Sequence, residues 1–182
     1  MPAGTTADTG AAPQFGSFTL EVVVAAPIDA VWPAIARGEL RGRWLRMPGR
    51  PGPQSPVDLL PGATETLTAQ ASIGDVVETL ERNTQVVVVV PGRRAVLVYR
   101  AVVNDQPRWA SLVTVSLDTA TLDSSSAPDD RPDSTRLTWT EQYTFLTPTS
   151  ADEAAHLRGG TRLMLTALAV SLGVTPRPAH ER

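Results

Sequence analysis

Phe18, Leu20, Val22 and Val24 alternate with Ser17, Thr19, Glu21 and Val23, which predicts a strand with one buried face. Pro27 follows as a good first helical residue, and Ile28, Val31, Trp32 and Ile35 recur at helical spacing. Pro33 removes the hydrogen bond back to Asp29, so this helix is expected to be short or distorted and to end at Gly38. A second short turn follows over 39–44. Residues 46–62 are rich in proline and glycine and predict a long irregular connection with a short edge strand at Val57–Leu60.

From there the chain reads as strands: Thr64–Ser72, Val76–Val90, Ala95–Val103, Trp109–Asp118 and Thr135–Leu146. Turns are expected at Gly74-Asp75, at Pro91-Gly92-Arg93 and over Asn104 to Pro107. Residues 121–134 form an acidic, Ser/Pro-rich loop. The longest predicted helix covers 150–173. Ser150 and Glu153 suggest a capping box, and Leu157, Thr161, Met164, Leu165, Leu168 and Leu172 share one face. Gly173 and Pro176 supply its stop signal. Gly159-Gly160 inside it costs roughly 1 kcal/mol per glycine, which suggests a bend or a close approach.

Consecutive strands joined by tight turns give an antiparallel sheet whose apolar face has to be covered. Only the last helix is long and amphipathic enough to cover it. The expected fold is therefore α+β, a helix-grip: a curved antiparallel sheet of about six or seven strands wrapped around one long C-terminal helix. A short helix pair follows the first strand. Residues 1–15 read as a disordered tail, 16–174 as the domain and 175–182 as a C-terminal tail.

Composition narrows the chemistry. The 182 residues contain no cysteine and no lysine, and all 16 basic side chains are arginine. Thiolate catalysis, iron–sulfur clusters, Cys-ligated zinc, Schiff bases and the P-loop lysine are thereby excluded. His156 and His180 are the only histidines, so no metal site is expected, and no motif calls for a cofactor. The net charge is −3 without a basic stripe, which argues against nucleic acid. No apolar run approaches a membrane span and no secretory signal is visible, so a cytoplasmic protein is expected. The Arg, Ala, Val, Pro and Gly usage fits a GC-rich bacterial genome.

Several stretches resemble one family. FTLEVVVAAPIDAVWPAI over residues 18–35 resembles the opening of the SRPBCC superfamily (START-like helix-grip proteins), in which an Ala-Pro-x-x-x-Val-Trp element follows the first strand. Ser111–Leu117 and Thr135–Leu146 resemble its late strands. Glu141-Gln142 and the Gly-Thr-Arg-Leu run at 160–163 are similar to the branch named after the activator of heat shock protein 90 ATPase. Polyketide cyclase-like proteins share this fold. The resemblance implies a cavity between sheet and helix that holds a small hydrophobic ligand, lipid-, polyketide- or aromatic-like. A non-enzymatic binding domain is the first reading. A polyketide cyclase/aromatase-like enzyme is the second, and a co-chaperone-like module acting on a heat shock protein 90 type ATPase the third. A homodimer and a protein partner both remain open.

Candidate residues follow from the strands. Trp139, Glu141 and Tyr143 alternate onto one face. If that face is concave, Glu141 accepts a ligand hydrogen bond or acts as a general base. The competing reading is an inward carboxylate satisfied by arginine, tyrosine or water. Tyr99 and Trp109 lie on neighbouring strands and either line the cavity or pack within the sheet. For an enzyme the catalytic candidates are Glu141, Tyr143 and Tyr99. The ligand-binding set is Trp44, Tyr99, Trp109, Trp139, Glu141, Tyr143 and Met164, with Trp44 expected near the cavity mouth. Glu65 and Glu78 read as solvated strand positions, and His156 as exposed.

Overall fold

Regular structure begins with β1 (Gln14–Val24), and Pro27 precedes α1 (Ile28–Ala36). A computed structural model describes residues 14–47, 49–54, 56–73, 76–120, 134–147, 152–173 and 177–178. The tail over 1–13, the Gly74-Asp75 turn, the loop over 121–133 and Ser150 lie outside the described residues. Pro33 sits inside α1, which nevertheless continues to Ala36, and the one-turn helix α2 (Gly38–Arg41) follows at once.

Then come β2 (Arg50–Gln54), β3 (Thr64–Ile73), β4 (Val76–Val90), β5 (Arg94–Val103), β6 (Gln106–Ala120) and β7 (Ser134–Phe145). The long helix α3 (Glu153–Ser171) and the two-residue β8 (Arg177–Pro178) complete the order. The sheet runs β2-β3-β4-β5-β6-β7-β1-β8 and every described pairing is antiparallel. This is the helix-grip α+β architecture, with β8 as a short addition beside β1.

Three local expectations change. The edge strand is Arg50–Gln54, not Val57–Leu60. An edge strand leaves one side of its ladder unpaired, so Pro51 and Pro53 are tolerated there. Val57–Leu60 is irregular but pinned: Leu59 N–H donates to Ala36 O at 2.7 Å, and Asp58 accepts from Gly38 N–H at 2.8 Å. The β5–β6 turn is tighter than expected. Asn104 and Asp105 both adopt positive φ, 49° and 62°, as a two-residue primed hairpin requires. At α3 the N-cap is Asp152, which makes no side-chain capping bond, while Glu153 pairs with Arg108 at 3.7 Å.

The core lies between the inner sheet face and the helices. Val31 and Ile35 of α1, Leu165, Leu168 and Ala169 of α3, and Val113, Val115 and Leu137 of the sheet are buried together. All the fully buried α3 side chains come from Thr161 onward. The first two turns of α3 therefore contribute nothing to that core, and beneath them lies the site.

Candidate functional site

Strand register sets the floor of the site. Across β4, β5, β6 and β7 one inward row reads Arg82, Ala101, Trp109 and Phe145. The next reads Thr84, Tyr99, Ser111 and Tyr143, and the third Val86, Leu97, Val113 and Glu141. Directly opposite side chains stand about 5 Å apart, so large neighbours fill such rows. Ala101 and Ser111 are too small to do so. On the roof, α3 offers Gly160 above the same region, and a methyl group there would meet nothing within 4 Å. What remains is a cavity of about 240 Å³.

Its walls are largely apolar and aromatic, with Tyr99, Trp109, Trp139 and Phe145 from the sheet and Leu157 and Met164 from α3. Arg82, Glu141 and Thr161 contribute polar groups, Glu81 and Glu153 also line the cavity, and exposed Arg46 and His156 border it on the solvent side. Among the described residues no group of three His, Asp or Glu side chains is placed to hold a metal ion.

Glu141 is fully buried, with 0% of its surface exposed, yet no arginine pairs with it among the described residues. Its donors are neutral. The Tyr99 hydroxyl donates to Oε1, and Trp139 Nε1–H donates to Oε2 at 3.0 Å. Thr161 Oγ1 stands 3.5 Å from Oε2 and also donates to Leu157 O at 3.1 Å. Tyr99 in turn accepts from Trp109 Nε1–H at 3.3 Å. Small Ser111 lies between Tyr99 and Tyr143 in register, which leaves Tyr99 free to reach across β6 to Glu141.

Burial, and then the Glu141 carboxylate, push the Tyr99 phenol well above the ordinary tyrosine range. Donating its proton to Glu141 acts in the same direction. The Arg82 charge and the Ser111 hydroxyl oppose these effects only in part. Tyr99 is consequently a fixed neutral donor, not a phenolate. The Arg82 guanidinium carbon lies 4.0 Å from the centre of the Tyr99 ring, a cation–π contact.

Five residues expected at a ligand site border this one cavity: Tyr99, Trp109, Trp139, Glu141 and Met164. Two do not. Trp44 is not at the mouth; it is 3% exposed in the core and its indole N–H donates to Ala34 O at 2.8 Å. Tyr143 shares the inward face but leans towards β1, because Gly16 opposite it has no side chain. A Cβ at Gly16 would stand 2.5 Å from the Tyr143 hydroxyl oxygen, and the ring packs on Phe18 and Phe145 instead of facing the cavity. Tyr143 does not border this cavity.

The reading of Glu65 as solvated is also corrected. Glu65 is buried and pairs with Arg41 at 2.5 Å, while accepting from Val57 N–H at 3.0 Å. Arg41 also donates to Val57 O and, at 3.2 Å, to Ile35 O. A Cβ added at Gly159 or Gly160 would meet nothing within 4 Å, and α3 runs through the pair unbroken. Arg82 escaped notice although a signal existed. It has the same strand phase as Leu80, Thr84 and Val86, which the consecutive valines at 86–90 obscure.

Solved structures share this architecture. The Mll3558 protein of Rhizobium loti is 31% identical to this chain with a TM-score of 0.68, covering 88% of this chain and 99% of its own. The chain belongs to the family of Mll3558. An uncharacterised protein from Rhizobium leguminosarum is 22% identical with a TM-score of 0.68, covering 89% and 97% of the two chains. DynU16, from the dynemicin biosynthetic locus, is 19% identical with a TM-score of 0.52. The match spans 86% of this chain but only 47% of DynU16. These proteins share the helix-grip fold with this chain. No family model and no curated protein matches the chain.

Proposed function

We propose that this protein binds a small, largely apolar molecule in the cavity between the sheet and the first turns of α3. One observation carries the reading: a space of about 240 Å³ walled by aromatic and aliphatic side chains, with a few convergent polar groups at one place. A dry cavity of roughly 150 Å³ admits benzene. The larger space here suits a fused-ring or short-chain molecule. Glu141 and Tyr99 form the polar end of the site, and Trp109, Trp139 and Met164 the apolar walls. The order of sequence motifs further supports the SRPBCC branch near the activator of heat shock protein 90 ATPase, as a ligand-binding relative.

The test is native mass spectrometry of the purified protein against a denatured sample. A small molecule carried by the native protein and released on denaturation is the expected result. An empty protein that also gains no thermal stability from a panel of fused-ring compounds would contradict the reading.

A second reading, a cyclase- or aromatase-like enzyme, draws support from one feature. Glu141 borders the cavity within hydrogen-bond reach of Tyr99, so two polar groups converge where a substrate would lie. In that case Glu141 is the general base and Tyr99 a neutral hydrogen-bond donor. The occurrence of a structural neighbour in a biosynthetic locus is consistent with this chemistry. Conversion of a polyketide-like substrate by the native protein, lost in Glu141→Gln, is the expected result for the enzyme. Turnover unchanged by that substitution would exclude Glu141 as the base.

A further inference from the structure

Buried Arg41 and half-buried Arg82 are treated very differently by this fold. Arg41 is matched by Glu65 and by two carbonyl oxygens. Arg82 has no such partners. Among the described residues it forms no ion pair, and its buried Nε has no hydrogen-bond partner. A buried donor left unpaired in a native structure calls for a missing acceptor. Arg82 also borders the cavity, and its guanidinium rests on the Tyr99 ring at 4.0 Å. That contact holds the guanidinium against a ring that is itself anchored at its hydroxyl by Glu141 and Trp109. The other acidic groups on the cavity wall are occupied. Glu153 faces Arg108 at 3.7 Å, Glu81 accepts from Asn83 at 2.7 Å, and Glu141 accepts from Tyr99 and Trp139, one bond on each oxygen.

We propose that the ligand of this cavity is an aromatic carboxylate, with its ring between Trp109, Trp139 and Met164 and its carboxylate on the Arg82 fork. The inference rests on the binding function proposed above and adds the charge and shape of what is bound. A guanidinium offers two parallel N–H donors that match the two oxygens of a carboxylate, and an oriented fork gives up little freedom on pairing. Four aromatic rings on the wall suit a flat apolar body. Exposed Arg46 adds a second positive charge at the cavity edge.

The experiment compares 2-naphthoate with its neutral isostere 2-naphthamide by calorimetric titration of the full chain, in wild type and in Arg82→Gln. Naphthoate is expected to bind at least about tenfold more tightly than naphthamide, the scale of a charge-assisted pair. Arg82→Gln is expected to abolish that preference, lowering naphthoate affinity at least about tenfold more than naphthamide affinity. Equal affinity of the two probes in wild type overturns the proposal and leaves the cavity reading standing. So does a preference that survives in Arg82→Gln. No binding of either probe overturns both. The wild-type comparison alone decides the matter if Arg82→Gln does not fold.

Discussion

Two carboxylates are buried on the inner face of one sheet, and their surroundings could hardly differ more. Glu65 on β3 faces a guanidinium and a peptide N–H, and through them holds the irregular segment around Val57 against α2. Among the described residues Glu141 on β7 has the neutral donors Tyr99 and Trp139, with the Thr161 hydroxyl 3.5 Å away, and it borders a cavity. The first arrangement neutralises charge inside the protein and closes the structure. The second holds a carboxyl group in place with neutral donors and leaves space beside it. A buried group whose needs are met by the fold is structural. One that is held in position and left next to a void is a candidate for function.

The contrast can be broken most forcefully at Arg41. Arg41→Met leaves Glu65 buried without its cation, and is expected to lower unfolding stability in urea by about 3–5 kcal/mol. A cost below about 1 kcal/mol would show that the pair is not what fixes the segment.

Alkali tests the other carboxylate's partner. Tyr99 keeps its proton in the folded state above the unfolded tyrosine value of about 10. Its contribution is therefore fully present below pH about 10 and declines as pH rises through the folded value, by about 1.4 kcal/mol per pH unit. Wild type is expected to show this decline and Tyr99→Phe to lack that component, measured by urea unfolding between neutral and alkaline pH. A slope that is identical in both proteins would contradict the burial argument.

Glu141→Gln sharpens the comparison with Arg41. The single amide oxygen can accept from Tyr99 or from Trp139 but not from both in their present geometry, so one buried donor loses its acceptor. The expected loss of stability is about 1–3 kcal/mol, the cost of one unsatisfied buried donor. A loss as large as that of Arg41→Met would make Glu141 a structural carboxylate as well.

The smallest effect concerns the roof. Gly159→Ala and Gly160→Ala both meet no neighbour and are each expected to stabilise the protein by roughly 0.8 kcal/mol. Only Gly160 borders the cavity. Thermal unfolding in parallel with ligand titration should therefore show two similar gains in stability, with binding altered at 160 alone.

Much of this was legible from residue order. Alternation placed Trp139 and Glu141 on one inward face, and the turn residues gave the meander from β3 to β6. Other features depend on what lies opposite, which one strand cannot reveal. Tyr143 has the phase of Glu141 but is drawn aside because Gly16, more than a hundred residues away, leaves it room. Glu65 has the phase of Leu67 and Ala69, and its partner Arg41 sits on a helix of only one turn. Trp44 follows that turn and packs into the core because its indole finds Ala34 O there. The edge strand formed on a proline-containing segment, since an edge makes few demands on N–H groups.

The central claim is that the space beneath the start of α3 is a binding site. Indole N–H resonances offer the most direct measurement, because the four tryptophans report from different places. Two-dimensional proton–nitrogen spectra would follow titration of wild type and Gly160→Phe with 2-naphthamide. The account predicts saturable shifts of the Trp109 and Trp139 indoles, an unmoved Trp44 indole, and loss of the response when phenylalanine occupies the cavity roof. Saturable shifts that spare Trp109 and Trp139, or that persist in Gly160→Phe, would contradict it.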